Sequence, residues 1–527
     1  MKLKSALLLD NLILTKWQKQ SLKLALNKLD IVLILNCTNT KSKKKYIKNF
    51  IYYLLNIISL KNSLTNQKTY NISDEKVYNF DSKYNGIWQS IPDEIYEILK
   101  KNNIDLVIKF GMNLLRIKED KSAPPFISFH HGDPSKYRGR PAGFYEILNR
   151  ENSNGIIVQK LSNELDAGEI LAFAESKVVN YSYKRTALNF YDNSKYLLLK
   201  AIKNYSLGKE VNINKCGKNY RLPSNFLGIK FFLLTFNNAI KRFIYGLFFE
   251  KKWKVLIGKS NLSFSGNEVI SLKNMSEIPL SSEYNFYADP FFSSDGRFVR
   301  LEALSKNTSL GDILEFKIDD FSVKKKLLSG EHYSYPFSFI YKEKEYLLPE
   351  VESHSAQYIY PLDNENNEKF TIRGLEDKRI VDATFLEHNG DWFLFFGENS
   401  NANSVLNLWL SKSPFGMFKP HPDTPIAISP KFARMGGRVL KMSDRLVRFG
   451  QNNSGEYGES LTVLEITKLS PTEYKEKIVG ELSFDSYKGP HSLNLNINSN
   501  LLLLDYYINK FSFFAGYRRI KAKFNRK

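Results

Sequence analysis

The sequence predicts an α/β domain with a Rossmann-like, mostly parallel sheet, followed by an all-β five-bladed propeller. Two observations lead to this prediction. Over residues 1–205, short apolar runs alternate with helical patterns, which favours a parallel sheet with helices on its faces. From residue 252, short aromatic strands separated by Gly, Asn, Asp and Ser turns take over. We therefore predict domains at 1–205 and 252–527, joined by a linker at 206–251.

In the first domain, apolar runs of strand length alternate with amphipathic runs of helix length. The predicted strands are SALLLDNLIL (5–14), DIVLILNC (30–37), DLVIKFG (105–111), FISFHH (126–131) and GIIVQKL (155–161). The predicted helices are KWQKQSLKLALNKL (16–29), TKSKKKYIKNFIYYLLNII (40–58), DEIYEILKKN (93–102), AGFYEILNRE (142–151) and TALNFYDNSKYLLLKAIKNYSLG (186–208).

In the second domain, a pattern of turn, apolar strand, polar hairpin tip and aromatic strand recurs. The repeat is roughly 46 to 56 residues long, which is the length of a propeller blade. The repeats are ADPFFSSDGRFVRLEAL (288–304), YPFSFIYKEKEYLLPEVE (335–352), VDATFLEHNGDWFLFFGEN (381–399), MGGRVLKMSDRLVRFGQN (435–452) and GPHSLNLNINSNLLLLDYY (489–507). A β-sandwich with evenly spaced strands is the alternative. The propeller is favoured because a closed ring leaves no exposed sheet edges.

The charge and cysteine content narrow the class of partner. The formal net charge of +21 suits nucleic acid, anionic membrane or phosphorylated substrates. No nucleic-acid partner is expected, because no helix-turn-helix, zinc-finger or ribonucleoprotein motif accompanies the lysines. With Cys37 and Cys216 alone, neither a disulfide framework nor a metal site is predicted, and a reducing cytoplasm is expected. Asp10 interrupts the first apolar run, so we expect a strand there rather than a signal peptide.

The segment FLGIKFFLLTFNNAIKRFIYGLFF (226–249) is aromatic but interrupted by polar residues, Lys230, Asn237, Asn238, Lys241 and Arg242. Such interruptions argue against a membrane-spanning helix and favour an amphipathic helix lying on a surface. One interpretation is an interdomain helix packed on the propeller, which is favoured because linkers of this kind are usually covered. The other is peripheral contact with an anionic membrane at its inner face.

The stretch FISFHHGDPSKYRGRPAGFYEIL (126–148) places two histidines at a strand end before a basic Gly/Pro loop. With DLVIKFGMNLLR (105–116) and NGIIVQKLSNELDAGEIL (154–171), it resembles the formyltransferase superfamily. That group includes methionyl-tRNA formyltransferase and sugar N-formyltransferases that use N10-formyltetrahydrofolate. The three pieces occur in the family's order, and the resemblance covers roughly residues 1 to 200, so it implies the formyltransferase fold.

This resemblance implies catalytic roles for His130, which would stabilise an oxyanion and exchange a proton, and for Asp166, which would orient it. Ser128 stands where the family has a catalytic asparagine, and a hydroxyl reaches less far than an amide. His131 is an extra residue that could supply the missing donor. The resemblance also implies that the folate is held by the loop residues Phe110, Gly111, Met112, Leu114 and Leu115.

The second domain resembles the five-bladed propellers of arabinanase-like glycoside hydrolases. It is more similar to the propeller beside some glycosyltransferases that glycosylate inositol phosphorylceramide. FFEKKWKVLIG (248–258), YADPFF (287–292) and GPHSLN (489–494) carry the resemblance. It implies a binding funnel with Asp289 and Asp382 at two blade entries. Glu350 is either a funnel residue or a hydrogen-bond partner between blades, and the basic Arg438 and His491 at other entries complete the predicted funnel. Arg438 lies where the hydrolases have their acid, which argues against ordinary hydrolysis and suits a phosphorylated or acidic glycan.

Together these features predict a cytoplasmic N-formyltransferase. It would move a formyl group from N10-formyltetrahydrofolate to the amine of an amino sugar, nucleotide-linked or in a glycan precursor, for surface polysaccharide biosynthesis. Because of Ser128, a catalytically altered domain that serves as a carbohydrate-binding scaffold is one alternative. A glycan-processing propeller enzyme with a regulatory N-terminal domain is the other.

Overall fold

The computed structural model describes residues 2–39, 47–70, 75–120, 122–363, 368–442 and 444–525. The chain divides into two compact units, Met1–Ile240 and Lys241–Lys527. The division lies inside the segment 206–251 that the sequence indicated as a linker. The first half of the predicted lysine-rich helix, 40–46, lies outside the described residues, and its second half is the helix Phe50–Ser59.

The N-terminal unit is built on a seven-stranded sheet, as far as the described residues extend. In spatial order its strands are Glu169–Lys177, Ser153–Lys160, Phe126–His130, Leu106–Lys109, Leu3–Asp10, Leu29–Cys37 and Lys76–Phe80. The first two strands pair antiparallel, and the other five run parallel. The predicted α/β architecture with a mostly parallel sheet is confirmed. Leu7, Leu8 and Leu9 are fully buried, as expected for a central strand covered on both faces.

Helices and short ribbons complete this unit. The helices are Lys16–Ala25, Phe50–Ser59, Asp93–Lys101, Phe144–Leu148, Tyr183–Ser194 and Leu197–Ser206. The short strands are Ile13–Thr15 with Gln67–Thr69, Lys83–Asn85 with Trp88–Ser90 and Leu114–Arg116, and Tyr137–Gly139 with Lys218–Tyr220. The polar strand Lys76–Phe80 had no clear apolar signal in the sequence.

A long helix, Asn225–Phe248, contains the division between the units. Phe231 is buried and stacks on Phe144 with ring centroids 4.3 Å apart. Most other large apolar side chains of this helix are exposed: Phe226, Ile229, Phe232, Leu233, Phe236, Ile240, Phe243, Ile244 and Leu247. Both interpretations of this segment, packing on the propeller and peripheral membrane contact, stay predictions. Among the described helices, none is long and apolar enough to cross a membrane.

The C-terminal unit contains five sheets in the part of the chain that the structure describes, and their pairing is mostly antiparallel. Sheet one is Tyr284–Phe292, Phe298–Ser305, Gly311–Lys317 and Val323–Leu328; sheet two is Tyr333–Tyr341, Lys344–Val351, Tyr358–Pro361 and Phe370–Thr371; sheet three is Ile380–His388, Asp391–Glu398, Val405–Ser411, Lys419–Pro420 and Ala427–Ile428. Sheet four is Arg434–Met435, Leu440–Lys441, Leu446–Asn452, Ser460–Leu469, Tyr474–Phe484 and Glu268–Ile270; sheet five is Leu493–Asn496, Leu501–Phe511, Phe249–Lys259 and Met275–Glu277. A short 3-10 turn, Leu272–Asn274, and a final helix, Ala515–Asn525, complete the unit.

The first strands of sheets one, two and three share a bulge at the same place. The bulge residues are Asp289, Tyr335 and Asp382, and their φ angles are 48°, 48° and 50°. Residues other than glycine rarely adopt this left-handed backbone conformation. Bulges of this kind change the direction of side chains beside functional sites. The sequence repeat is therefore also a repeat of backbone shape.

Sheet five joins the beginning and the end of the unit. Phe249–Lys259 pairs with Leu501–Phe511 over its full length, from Phe249 opposite Phe511 to Lys259 opposite Leu501. Since a lone strand edge leaves its backbone groups unpaired, folding of the unit depends on both ends being present.

We expect a chain ending at Asn500 to lose cooperative folding of the C-terminal unit, because it lacks the partner of Phe249–Lys259. A chain ending at Ser512 keeps that strand and loses only the final helix, so it serves as the control. Thermal unfolding followed by tryptophan fluorescence tests this. A cooperative transition in the shorter chain equal to that of the control would show that the pairing is dispensable.

Candidate functional site

Asp505 is a fully buried carboxylate in sheet five that organises the centre of the C-terminal unit. It accepts hydrogen bonds from the backbone N–H groups of Asp289 (3.1 Å), His491 (3.0 Å) and Ser492 (3.0 Å). Its Oδ2 also lies 2.7 Å from Nδ1 of His491. One side chain thus links the bulge of sheet one to the segment that leads into sheet five.

His491 lies between two carboxylates. Its Nε2 is 3.2 Å from Oδ1 of Asp289, and the Trp253 ring packs on the imidazole with centroids 4.0 Å apart. Burial opposes the charged imidazole, but the charges of Asp505 and Asp289 outweigh it and raise the pKa of His491 to about 10. Although burial opposes ionisation of Asp289 too, the charge of His491 lowers the pKa of that carboxyl. At neutral pH this is an imidazolium held by two carboxylates.

Arg434 lies between two further acids, Asp382 and Glu350. Its Nε is 2.5 Å from Oδ2 of Asp382, and its Nη2 lies 4.0 Å from Oε2 of Glu350. Gln451 also donates to Oδ2 of Asp382, at 3.3 Å. Burial, followed by the charge of Asp382, raises the pKa of Glu350 to about 8. Glu350 therefore holds a proton at neutral pH and can give it up.

Tyr457 lies beside both groups. Its ring centroid is 5.2 Å from the Arg434 guanidinium and 5.7 Å from the centroid of the His491 ring. The residue as a whole is 37% exposed, and the Lys251 ammonium also lies near its ring, 5.8 Å from the centroid. We call the set of Asp289, Glu350, Asp382, Arg434, Tyr457, His491 and Asp505 the central cluster.

The central cluster contains more acid than base. Its four carboxyl groups share two cationic side chains, those of Arg434 and His491. A protonated Glu350 relieves part of this imbalance, because two neighbouring buried carboxyls do not both ionise readily. The cluster can therefore accept a further cation, or a ligand rich in hydrogen-bond donors.

Four of the five predicted funnel residues meet here, namely Asp289, Glu350, Asp382 and His491. Arg438 does not. It donates to the carbonyl of Ser338 at 2.7 Å and lies 4.5 Å above the Phe337 ring. The arginine of the cluster is Arg434, four residues earlier, which lies in the two-residue strand Arg434–Met435 that pairs with Leu446–Asn452. Neither Arg434 nor Tyr457 was identified from the sequence.

In the N-terminal unit, the structure brings His130 and Asp166 together. The His130 Nδ1 is 3.5 Å from Asp166 Oδ1, and Asp166 Oδ2 accepts the Gly139 N–H at 2.8 Å. Lys109, which the sequence did not single out, is close by: burial lowers its pKa to about 8, against the opposing charges of Asp10 and Asp166. The catalytic roles of His130, Asp166 and the buried Ser128 stay predictions.

A small open pocket of about 10 Å³ lies on one side of His130, between Tyr137 and Arg140, and is about the size of one water molecule. Asp166 does not line it. His131 does not stand in for the missing asparagine as a charged donor: burial lowers its pKa to about 3, and its Nε2 lies 2.9 Å from Oγ of Ser194.

The predicted folate loop is packed into its own unit. Met112 and Leu115 are buried in the core, Leu114 is partly buried, and Phe110 stacks on Phe129 at 5.8 Å. A Cβ at Gly111 would lie 2.4 Å from the backbone nitrogen of Asp10. These side chains are committed to the fold and fit a bound N10-formyltetrahydrofolate poorly, and folate binding stays a prediction.

The chain has an α/β unit and a strand-rich unit with a buried charged centre, and its sequence is similar to those of transferases. Residues 247–502 match a family described as Glucosamine inositolphosphorylceramide transferase 1, N-terminal. The rice (Oryza sativa subsp. japonica) protein of that name is 31% identical over 254 residues, covering 45% of this chain and 34% of its own. This chain thus spans about a third of the length of that relative.

Two further similarities concern formyltransferases. A methionyl-tRNA formyltransferase of Borrelia hermsii (strain HS1 / DAH) is 29% identical over 118 residues, covering 22% of this chain and 38% of its own. The solved structure of a sugar 3N-formyl transferase is 13% identical, covers 61% of this chain and 99% of its own, and has a TM-score of 0.28. A TM-score of that size does not establish a shared function.

These comparisons correct the predicted function. The matches over residues 247–502 name a glucosamine inositolphosphorylceramide transferase, not a folate-dependent formyltransferase. The prediction of N-formyl transfer is therefore wrong. Its physical basis was also weak, because Ser128 stands where the family has an amide, and a hydroxyl reaches less far.

His491 should make stability depend on pH. Its folded-state pKa of about 10 lies above the value of about 6.5 in unfolded chains. The stabilisation is complete below the unfolded value and is lost as pH rises through the folded one. We expect the free energy of unfolding in urea to fall by roughly 3–5 kcal/mol between these pH values.

His491→Gln provides the comparison. It should be less stable than the wild type at the lower pH and show a smaller fall with rising pH. Equal pH dependence in the two proteins would mean that the imidazole is not held as a cation.

Proposed function

We propose that the protein is a transferase of glycolipid or polysaccharide assembly and that its central cluster binds an amino sugar of the substrate. The observation that carries this proposal is the set of four carboxyl groups that share the two cations Arg434 and His491, with Glu350 held protonated. A sugar ammonium supplies the cation that the cluster lacks.

The chemistry of an amino sugar matches the groups present. Carboxylates accept hydrogen bonds from sugar hydroxyls and make charge-assisted bonds with an ammonium. Tyr457 is 37% exposed as a residue, and an aromatic ring can pack on a sugar ring and attract a cation. An ammonium near Glu350 would favour its ionised form, so its proton would leave as the sugar binds.

The names of the relatives support the same class of ligand. The rice protein is named for glucosamine, an amino sugar, and for inositolphosphorylceramide, a lipid. This chain spans about a third of that protein. Transferase activity of the whole chain is therefore proposed here and not taken from the relative's name. Assays with activated amino sugars as donors would identify the group that is transferred.

We also infer that the five sheets are blades of a closed propeller with the central cluster on its axis. In support, the first strand of each of sheets one to three packs against the first strand of the next sheet, and sheet one packs against sheet five. Between sheets four and five, the N–H of Leu493 donates to the carbonyl of Gly436 at 2.9 Å. The pairing of Phe249–Lys259 with Leu501–Phe511 would close the ring.

Binding of glucosamine and N-acetylglucosamine tests the proposed site. At about pH 6.5, where an amine is charged, calorimetry should show tighter binding of glucosamine, because acetylation removes the cation. Glu350→Gln should weaken glucosamine binding by about tenfold or more, the value of a charge-assisted hydrogen bond, and should leave N-acetylglucosamine binding nearly unchanged.

Glu352→Gln is the matched control, since Glu352 lies two residues further on and is 38% exposed at its side chain. It should bind both sugars as the wild type does. Equal affinity of the wild type for the two sugars, or equal loss in both variants, would overturn the proposal.

A further inference from the structure

The final helix, Ala515–Asn525, is held in place by contacts within the C-terminal unit. Arg519 donates to the carbonyls of Tyr245, Gly246 and Phe249, which lie at the end of the long helix, where such groups have no partner within the helix. Arg518 forms two bonds with Glu250, at 3.0 and 2.9 Å. The helix is therefore a fixed part of the unit's surface.

This arrangement leaves a large apolar surface uncovered. It includes Phe243, Ile244 and Leu247 on one face of the long helix, and Tyr517, Ile520 and Phe524 at helical spacing on the final helix. We call these six residues, with Phe511, Phe513 and Phe514, the tail patch. Their exposed fractions run from 38% for Leu247 to 76% for Phe513. An exposed apolar group of this kind marks an interaction site.

The charges in and around the tail patch have one sign. The segments 241–249 and 511–525 contain no Asp or Glu and carry Lys241, Arg242, Arg518, Arg519, Lys521 and Lys523. The neighbouring Glu250 is already paired with Arg518. A second copy of this chain would set the same basic residues against each other. The partner that suits the patch is therefore anionic and apolar at once.

We propose that the tail patch docks on the surface of an anionic lipid bilayer. Its aromatic and aliphatic side chains enter the boundary between headgroups and acyl chains, and the lysines and arginines contact lipid phosphates. Long basic side chains suit this position, because their stems lie along apolar surface while their charges stay in water. The patch is a peripheral attachment and does not cross the bilayer.

This docking is independent of the proposed sugar site. No residue of the central cluster belongs to the tail patch, and the final helix lies beyond residues 247–502, the segment that matches the transferase family. Loss of membrane binding and loss of sugar binding can therefore be measured separately. From the sequence, membrane contact was predicted for 226–249 alone, without the final helix.

Flotation of the full chain with vesicles tests the proposal. The protein should float with vesicles of phosphatidylcholine containing roughly one-third phosphatidylserine, weakly or not at all with phosphatidylcholine alone, and less as salt is raised. Phe513→Ser/Phe514→Ser/Tyr517→Ser should weaken binding about tenfold or more. Lys521→Glu/Lys523→Glu keeps the apolar surface and should abolish the preference for anionic vesicles.

The matched control changes three exposed apolar residues elsewhere in the same unit, Val323→Thr/Ile340→Thr/Ile478→Thr, at 51%, 52% and 57% exposure. It should float as the wild type does, and all variants should melt as the wild type does by circular dichroism. No flotation of the wild type at low salt overturns the proposal. So does equal flotation of the serine variant, or a dimer that the serine changes disperse without any vesicle binding.

Discussion

Asp505 connects distant parts of the C-terminal unit through one buried carboxylate. It accepts the backbone N–H groups of Asp289, His491 and Ser492 while its strand pairs with the first strand of the unit. A buried carboxylate is costly unless it is fully paired, and here the pairing includes the charged imidazole of His491. The same contacts that join sheets one and five therefore place a cation at the centre of the unit.

The chemistry of the central cluster follows from that cation. His491 lowers the pKa of Asp289, and Arg434 forms an ion pair with Asp382. Glu350 is the remaining acid, 4.0 Å from a guanidinium that Asp382 already binds more closely. Burial then favours its protonated form. The unit thus contains a carboxylic acid that an incoming cation can ionise.

The sequence predicted what depends on local pattern. Strand–helix alternation predicted the parallel sheet, and the repeat identified Asp289 and Asp382, which share a bulge. Arg438 was predicted in place of Arg434. The strand that contains Arg434, Arg434–Met435, is two residues long, which is too short for sequence periodicity to place its side chains. The final helix was missed because its exposed face mixes aromatic and basic residues. The predicted chemistry failed because the motif was taken to imply activity, although Ser128 stands where the family has its amide.

The central claim is that Glu350 holds a proton which an amino sugar displaces. Carbon-13 NMR of glutamate-labelled protein, with the Glu350 carboxyl resonance assigned through Glu350→Gln, measures this directly as pH is varied. In the free protein the account predicts a midpoint near the pKa of about 8, and with saturating glucosamine a midpoint lower by about one unit or more. A midpoint in the ordinary range for glutamate, or one that glucosamine does not move, would contradict the account.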